Sequence, residues 1–156
     1  MSKRIDTATK RIHAPAAAIY AAFASAEAMA AWLPPKGMKG EMLKFSFRDG
    51  GGYRMRLIYE EAGQGAGKTS EDTDEVEVRF VKLVPGERIE ESVNFDSEDE
   101  AFAGTMRIIW LLDPGPGGTE VTVRCEDVPP GIAAEDHEEA LASTLENLAA
   151  FVERGG

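Results

Sequence analysis

IAAEDHEEALASTLENLAAFVER, residues Ile132–Arg154, is the one long helical pattern in the chain. Its apolar residues Leu141, Leu145, Leu148 and Val152 recur at helical spacing, and its acidic residues fall largely off that stripe. We therefore expect one face of the helix to be buried and the other to face water. A helix of this length spans about 30 Å and needs a broad surface beneath it. The pattern predicts a sheet that packs against the helix.

Length and composition fit one domain over residues 1–156, since 43% of the residues are hydrophobic and 29% are charged. The formal net charge of −11 repels phosphate backbones and anionic lipid surfaces. Neither nucleic acid nor a membrane is therefore expected as a partner. The N-terminal residues contain no apolar targeting run, and the single Cys125 fits a reducing compartment. These features predict a cytoplasmic protein with a buried structural thiol.

Residues before the long helix have the alternation of an antiparallel sheet. Arg4–His13 predicts a first strand at a sheet edge, and the alanine-rich segment from Ala16 to Trp32 predicts two short helices, the second capped by Ser25. Further strands, linked as a meander, are predicted around Phe45, Met55, Val78, Val93, Trp110 and Val123. Segregated strands and helices are typical of an α+β fold.

The segment Ala62–Thr69, AGQGAGKT, satisfies a relaxed form of the phosphate-binding loop. Such a loop delivers its phosphate to a helix N-terminus, whereas the residues that follow this segment predict a strand. Glu71, Asp72, Asp74 and Glu75 would also repel a nucleotide. We therefore predict a hairpin loop here and no nucleotide cofactor.

Motifs for catalysis and metal binding are missing from the sequence. His13 and His137 are the only histidines, and neither an HExxH motif nor a pair of cysteines accompanies them. No serine lies in a GxSxG motif. The sequence predicts no catalytic residue, no metal site and no cofactor, and an enzyme is the less favoured class.

Five stretches, which cover most of the chain, resemble a known family: AWLPPKGM (Ala31–Met38), DGGGYRMRL (Asp49–Leu57), GKTSEDTDEVEVRF (Gly67–Phe80), FAGTMRIIW (Phe102–Trp110) and CEDVPPGIAAEDHEEALASTLENLAAF (Cys125–Phe151). The chain resembles the START-like (SRPBCC) superfamily and, within it, homologues of the activator of heat-shock-protein-90 ATPase. The resemblance implies a helix-grip fold like that of START domains and birch-pollen allergens. In that fold a curved antiparallel sheet of six to seven strands wraps the C-terminal helix, and a cavity lies between them.

Side chains of one strand parity would point towards the helix if the sheet grips it. The candidate ligand-binding residues on this face are Tyr53, Met55, Tyr59, Val78, Phe80, Phe95, Met106 and Trp110. The helices add Trp32, His137 and Leu141. Aromatic side chains and methionines favour an adaptable apolar pocket, and a filled core is the alternative.

Two polar residues are candidates for a role in that pocket. His137 lies in the first turns of the long helix and could bond a polar ligand group, although a surface or helix-start position is the favoured alternative. Glu91 shares parity with Ile89 and Val93, and burial there would raise its pKa. A local bulge that turns Glu91 outward is the favoured alternative.

The leading functional hypothesis is the binding of a small hydrophobic or amphipathic molecule between the sheet and the C-terminal helix. The first alternative is a cyclase- or hydrolase-type enzyme that uses Glu91 or His137 as acid or base. The second alternative is an interaction module that regulates a chaperone ATPase. That module would use the protein surface, and it predicts an exposed apolar patch.

Overall fold

The computed structural model describes residues 4–34, 38–59, 73–95 and 104–154. Within these ranges the chain forms, in order, β1 (Ile5–Ile12), α1 (Ala16–Phe23), α2 (Ala26–Trp32), β2 (Met38–Ser46), β3 (Gly52–Tyr59), β4 (Thr73–Val84), β5 (Arg88–Phe95), β6 (Gly104–Gly115), β7 (Gly118–Glu126) and α3 (Ala134–Glu153). The strands form one curved antiparallel sheet in the order β1-β7-β6-β5-β4-β3-β2. The predicted α+β helix-grip fold is confirmed.

The first strand of the chain lies beside the last one. β1 pairs with β7 alone, with Ile5 opposite Glu126 and Ile12 opposite Thr119, so the prediction of an edge strand is confirmed. From this edge, α1 and α2 carry the chain to β2 at the opposite edge. The strands β2 to β7 then follow as the predicted meander, because each pairs with the next in sequence.

The two short helices pack closely on the sheet. Ser25 caps α2 as predicted, because its Oγ accepts a hydrogen bond of 3.2 Å from the Ala28 N–H. Where α2 ends, the chain passes close to Gly40 in β2. A Cβ atom at Gly40 would lie 2.7 Å from Cγ of Pro34 and 3.1 Å from Sδ of Met55. The glycine therefore allows the end of α2 to approach the sheet.

Two β-bulges change which side chains face inward. The register between β2 and β3 shifts between Met42 and Lys44, and Leu43 is 38% exposed. Leu43 alternates with Phe45 in the sequence, but this bulge places Leu43 on the outward face. A second shift lies in β4, between Phe80 and Lys82.

The long helix α3 lies within the predicted segment and packs mainly along β1, with further contacts to α1 and α2. Leu145, Leu148 and Val152 are buried, and Leu141 is half-buried against the same core. Cys125 of β7 is buried beneath them, as predicted. Its burial, together with the negative charges of Asp6 and Glu91, raises the pKa of the thiol to about 12.

Candidate ligand-binding site

The inner face of the sheet brings together most of the residues predicted to bind a ligand. Those that the structure describes there are all between 0% and 6% exposed: Tyr53, Met55, Val78, Phe80, Met106 and Trp110. Trp32 of α2 is 1% exposed and joins them from the helical side. Tyr59 and Phe95 end β3 and β5, and the predictions for their side chains lie outside what the structure describes. The same holds for the loop predicted at 62–69.

An aromatic cluster lies where the short helices α1 and α2 pack against this face. The rings of Phe23, Trp32 and Trp110 meet edge to face, with centroids 5.0 Å apart for Phe23–Trp32 and Phe23–Trp110 and 6.0 Å apart for Trp32–Trp110. The indole N–H of Trp32 donates a hydrogen bond of 3.0 Å to the backbone carbonyl of Ala22. These contacts fix the orientation of Trp32.

A second aromatic cluster lies on the β2–β4 side of the same face. Phe47 and Phe80 meet edge to face with ring centroids 5.0 Å apart, and Phe45 stacks on Phe47 at 6.3 Å. The ring of Tyr53 lies 5.7 Å from that of Phe80. The two clusters hold Trp110 and Tyr53 in fixed positions on neighbouring parts of the inner face.

Glu91 is a buried acidic residue on this apolar surface. It is 2% exposed, and its Oε1 accepts a hydrogen bond of 2.9 Å from the indole N–H of Trp110. Its Oε2 is buried and has no hydrogen-bond partner among the residues described. Burial raises the pKa of Glu91 to about 7, and the bond from Trp110 opposes that rise. The carboxyl group can therefore be either charged or protonated near neutral pH.

The prediction that a bulge turns Glu91 outward is wrong. The bulge lies in the neighbouring strand β4, because Phe80 pairs with Glu91 while Lys82 pairs with Glu90. The strand β5 itself pairs without interruption with β6, so Glu91 stays on the same side as Ile89. The alternation of side chains along β5 was therefore sufficient to place Glu91 on the inner face.

Tyr53 shares the electrostatic environment of Glu91. Its pKa is raised well above the ordinary value, first by burial and second by the negative charge of Glu91. Tyr53 is therefore a neutral phenol at physiological pH. A protonated Glu91 can donate a hydrogen bond and a charged one can only accept, so the inner face offers a group that suits either a donor or an acceptor on a ligand.

His137 contacts a protein side chain, Asp6, and this contact needs no ligand. It lies at the start of α3, as the favoured alternative predicted, and its Nδ1 is 2.7 Å from Oδ2 of Asp6. Asp6 is 2% exposed and also accepts hydrogen bonds of 3.2 and 3.1 Å from Arg4. The contact joins α3 to β1 and accounts for the burial of His137 without a ligand.

Asp6, the partner of His137, was not predicted from the sequence. The signal was present, since Asp6 has the same parity in β1 as the fully buried Ile12. An inward-facing acid in an edge strand requires a partner, and a histidine at the start of the packed helix supplies it. In the described parts of the chain, no cluster of His, Cys, Asp and Glu is suited to hold a metal ion.

Open grooves lie on the described surface, and two of them are the following. One of about 960 Å³ crosses the outward side of the sheet between the Gly50–Gly52 turn and β6, and its floor includes Arg54, Arg79 and Asn94. Another of about 560 Å³ lies between α1 and the end of α3, beside Phe151. No described helix is both long and apolar enough to cross a membrane.

Comparison with known proteins gives the family of this fold. The family model described as "Activator of Hsp90 ATPase homolog 1-like protein" matches residues 13–153. The chain belongs to this family. The match includes both short helices, β2 to β7 and α3, so it covers the part of the inner face that contains Glu91. The predicted resemblance to this family is confirmed.

Solved structures of similar proteins agree with this assignment. Protein CV1439 from Chromobacterium violaceum is 31% identical, with a TM-score of 0.80 over 96% of this chain and 96% of that chain. The AHSA1-like protein from Aeromonas hydrophila is 14% identical, with a TM-score of 0.76 over 98% of this chain and 94% of its own. This second likeness shows the fold alone. No curated protein matches the chain.

Proposed function

We propose that this member of the AHSA1-like family binds a small amphipathic molecule on the inner face of the sheet, with a polar group bonded to Oε2 of Glu91. The buried and unpartnered Oε2 is the observation that carries the proposal. A buried polar atom without a partner costs about 1–3 kcal/mol, and a ligand hydroxyl would recover part of that cost. The ligand class is an alcohol or a similar neutral group on an apolar body.

The surroundings of Glu91 favour an apolar body of variable shape. Met55 and Met106 are both buried on this face. Methionine side chains are unbranched and polarizable, so they repack around different ligands at low cost. A second carboxylate would be repelled by a charged Glu91, which favours a fatty alcohol over a fatty acid.

The experiment compares uptake of 1-decanol and of the neutral dye Nile red by the parent and two variants. Glu91→Leu should weaken decanol binding by about tenfold, because the hydrogen bond is lost, and should leave Nile red binding unchanged. Glu120→Leu, an exposed and outward-facing position in β7, is the matched control and should change neither. The proposal is overturned if the parent binds neither compound, or if both variants bind decanol as the parent does.

A larger side chain on the same face distinguishes a ligand pocket from a filled core. Met106→Trp should abolish uptake of both compounds, because it occupies the space that they require, and should leave the melting temperature close to that of the parent. In a filled core the same change would cost about 1–3 kcal/mol through overpacking. Strong destabilisation, together with no uptake by the parent, would exclude the pocket.

A second candidate function is acid–base catalysis in the same interior. The observation that favours it is the pKa of about 7 at Glu91, which suits a proton donor or acceptor at neutral pH. Its other candidate, His137, is bonded to Asp6. Conversion of a bound compound that is lost in Glu91→Gln, while binding of that compound persists, would establish the enzyme.

The interaction-module alternative finds less support in the described surface. Its predicted apolar patch is not formed by the residues described, among which Ile5 and Leu43 are the exposed large hydrophobic side chains. They lie in β1 and β2, at opposite edges of the sheet. On the described part of the surface, a partner protein would therefore contact mostly polar or charged groups.

A further inference from the structure

Charge is unevenly distributed between the two sides of the molecule. The helix α3 contains six acidic residues and no Lys or Arg, and all six are exposed. The groove on the outward side of the sheet has the opposite character, because Lys44, Arg54 and Arg79 line it together with one acid, Glu77. A chain with a net charge of −11 thus has a concave surface of local positive charge.

The strand register places these cations in two adjacent rows across the outward face. Arg54 lies opposite Lys44 on β2 and Glu77 on β4. Arg79 belongs to the next row, opposite Gly52 on β3 and Ser92 on β5. Arg54 and Arg79 are diagonal neighbours, which in such a ladder are about 7–8 Å apart, and Lys44 lies one strand beyond Arg54. Lys44 and Arg79 can therefore contact one extended anionic segment that crosses these strands.

The environment of Arg79 leaves its guanidinium group open to a ligand. Arg79 is exposed and makes no ion pair with any residue in the described parts of the chain. Its cross-strand neighbours are Gly52, which has no side chain, and Ser92, which has a short one. Neither covers the guanidinium group, and arginine binds a carboxylate in a bidentate manner.

We propose that this outward groove binds an acidic peptide segment of another protein, with Arg79 and Lys44 contacting its carboxylates. Asn94 and Ser92 also line the groove and can bond peptide groups of the bound segment. Small-molecule sites are lined mostly by apolar side chains, whereas most of this lining is polar or charged. The acidic α3 repels the same partner, so docking on the sheet side is favoured.

The charged side chains of this site lie on the outward face, because outward-facing residues alternate with inward-facing ones along each strand. Phe45, Tyr53 and Val78 of the inner-face strands also line the groove. The test measures anisotropy of a labelled ten-residue peptide of alternating Glu and Gly at low salt, with the Lys–Gly peptide as the charge control. Arg79→Gln should weaken binding of the Glu–Gly peptide by about tenfold. Lys82→Gln removes the same charge from the same strand and the same face outside the groove, and it should weaken binding by less than about twofold.

The proposal is overturned if the parent does not bind the Glu–Gly peptide, or if it binds the Lys–Gly peptide equally well. It is also overturned if both variants lose the same affinity, or if Arg79→Gln is unfolded to an extent that accounts for its loss of binding. Two other occupants of the groove would each give a different result. Self-association of the parent at low salt that is lost in Arg79→Gln would identify α3 of a second copy as the occupant. Tighter binding to phosphatidylserine vesicles than to the peptide, again lost in Arg79→Gln, would identify a membrane surface.

Discussion

Glu90 and Glu91 are neighbours in β5 and are both buried, but they face opposite sides of the sheet. On the outward side, Glu90 forms ion pairs with Arg88 at 2.7 Å and with Arg107 at 3.4 Å. On the inward side, Glu91 receives one hydrogen bond from Trp110, and its pKa rises to about 7. The two faces therefore supply different partners to two buried carboxyl groups: cations on the outward side and an indole N–H on the inward side.

The inner face should depend on packing, and the largest effect is expected there. Phe80 is 0% exposed and contacts the rings of Phe45, Phe47 and Tyr53. Phe80→Ala should lower the free energy of unfolding by about 3–5 kcal/mol, since it removes these contacts and leaves a cavity. Urea denaturation measures the change.

The control for Phe80→Ala is an apolar residue that the β2 bulge turns outward. Leu43→Ala should change the free energy of unfolding by less than about 0.5 kcal/mol, because Leu43 is 38% exposed. Similar losses in the two variants would contradict the difference between the faces that we describe.

The charge of Glu91 should make stability depend on pH. The folded-state pKa of about 7 is above the ordinary value of 4.5, so the folded protein binds the proton more tightly than the unfolded chain. This contribution to stability is complete below pH 4.5 and is lost as pH rises through 7. Glu91→Gln lacks the proton equilibrium, so its stability relative to the parent should rise by about 2–3 kcal/mol between pH 5 and pH 8.

Denaturant melts of Glu91→Gln and the parent at both pH values measure this relative change. Glu120→Gln, at an exposed outward position, serves as the control. A constant difference between Glu91→Gln and the parent would show that Glu91 is charged in the folded protein at both pH values. That result would contradict the raised pKa of Glu91.

A small effect is also expected from an exposed ion pair on the outward face. Arg56 and Glu41 lie 3.1 Å apart, with side chains that are 38% and 53% exposed. Arg56→Gln should lower the free energy of unfolding by less than about 1 kcal/mol, because water and salt screen such pairs. A double-mutant cycle with Glu41→Gln measures the coupling, and a coupling above about 2 kcal/mol would show that this face also contributes to the stability of the fold.

Sequence reasoning was strongest where one residue decides a local structure. The cap by Ser25, the edge position of β1 and the parity of Met106 and Trp110 follow from local rules, and the structure agrees with each of them. It failed at the bulges, because the extra residue in β2 and the one in β4 depend on pairing with a distant strand.

The candidate site was only partly accessible to the same reasoning. The buried face could be predicted from alternation, and Glu91 was recognised as an inward candidate on its parity. The bond from Trp110 to Glu91 and the contact of His137 with Asp6 could not be predicted, since they join residues 19 and 131 positions apart. Parity gives the face on which a side chain lies, whereas the partner on that face depends on the register between strands and on the docking of α3.

The pairing of the first strand with the last has a consequence for how the chain folds during synthesis. Ile5 can pair with Glu126 only after the residues between them have left the ribosome, and α3, which packs along β1, is made later still. Contacts between such distant positions are slow to form because the intervening chain must first be closed into a loop. Until then β7 has an unpaired edge, and this edge is exposed to mispairing with other chains.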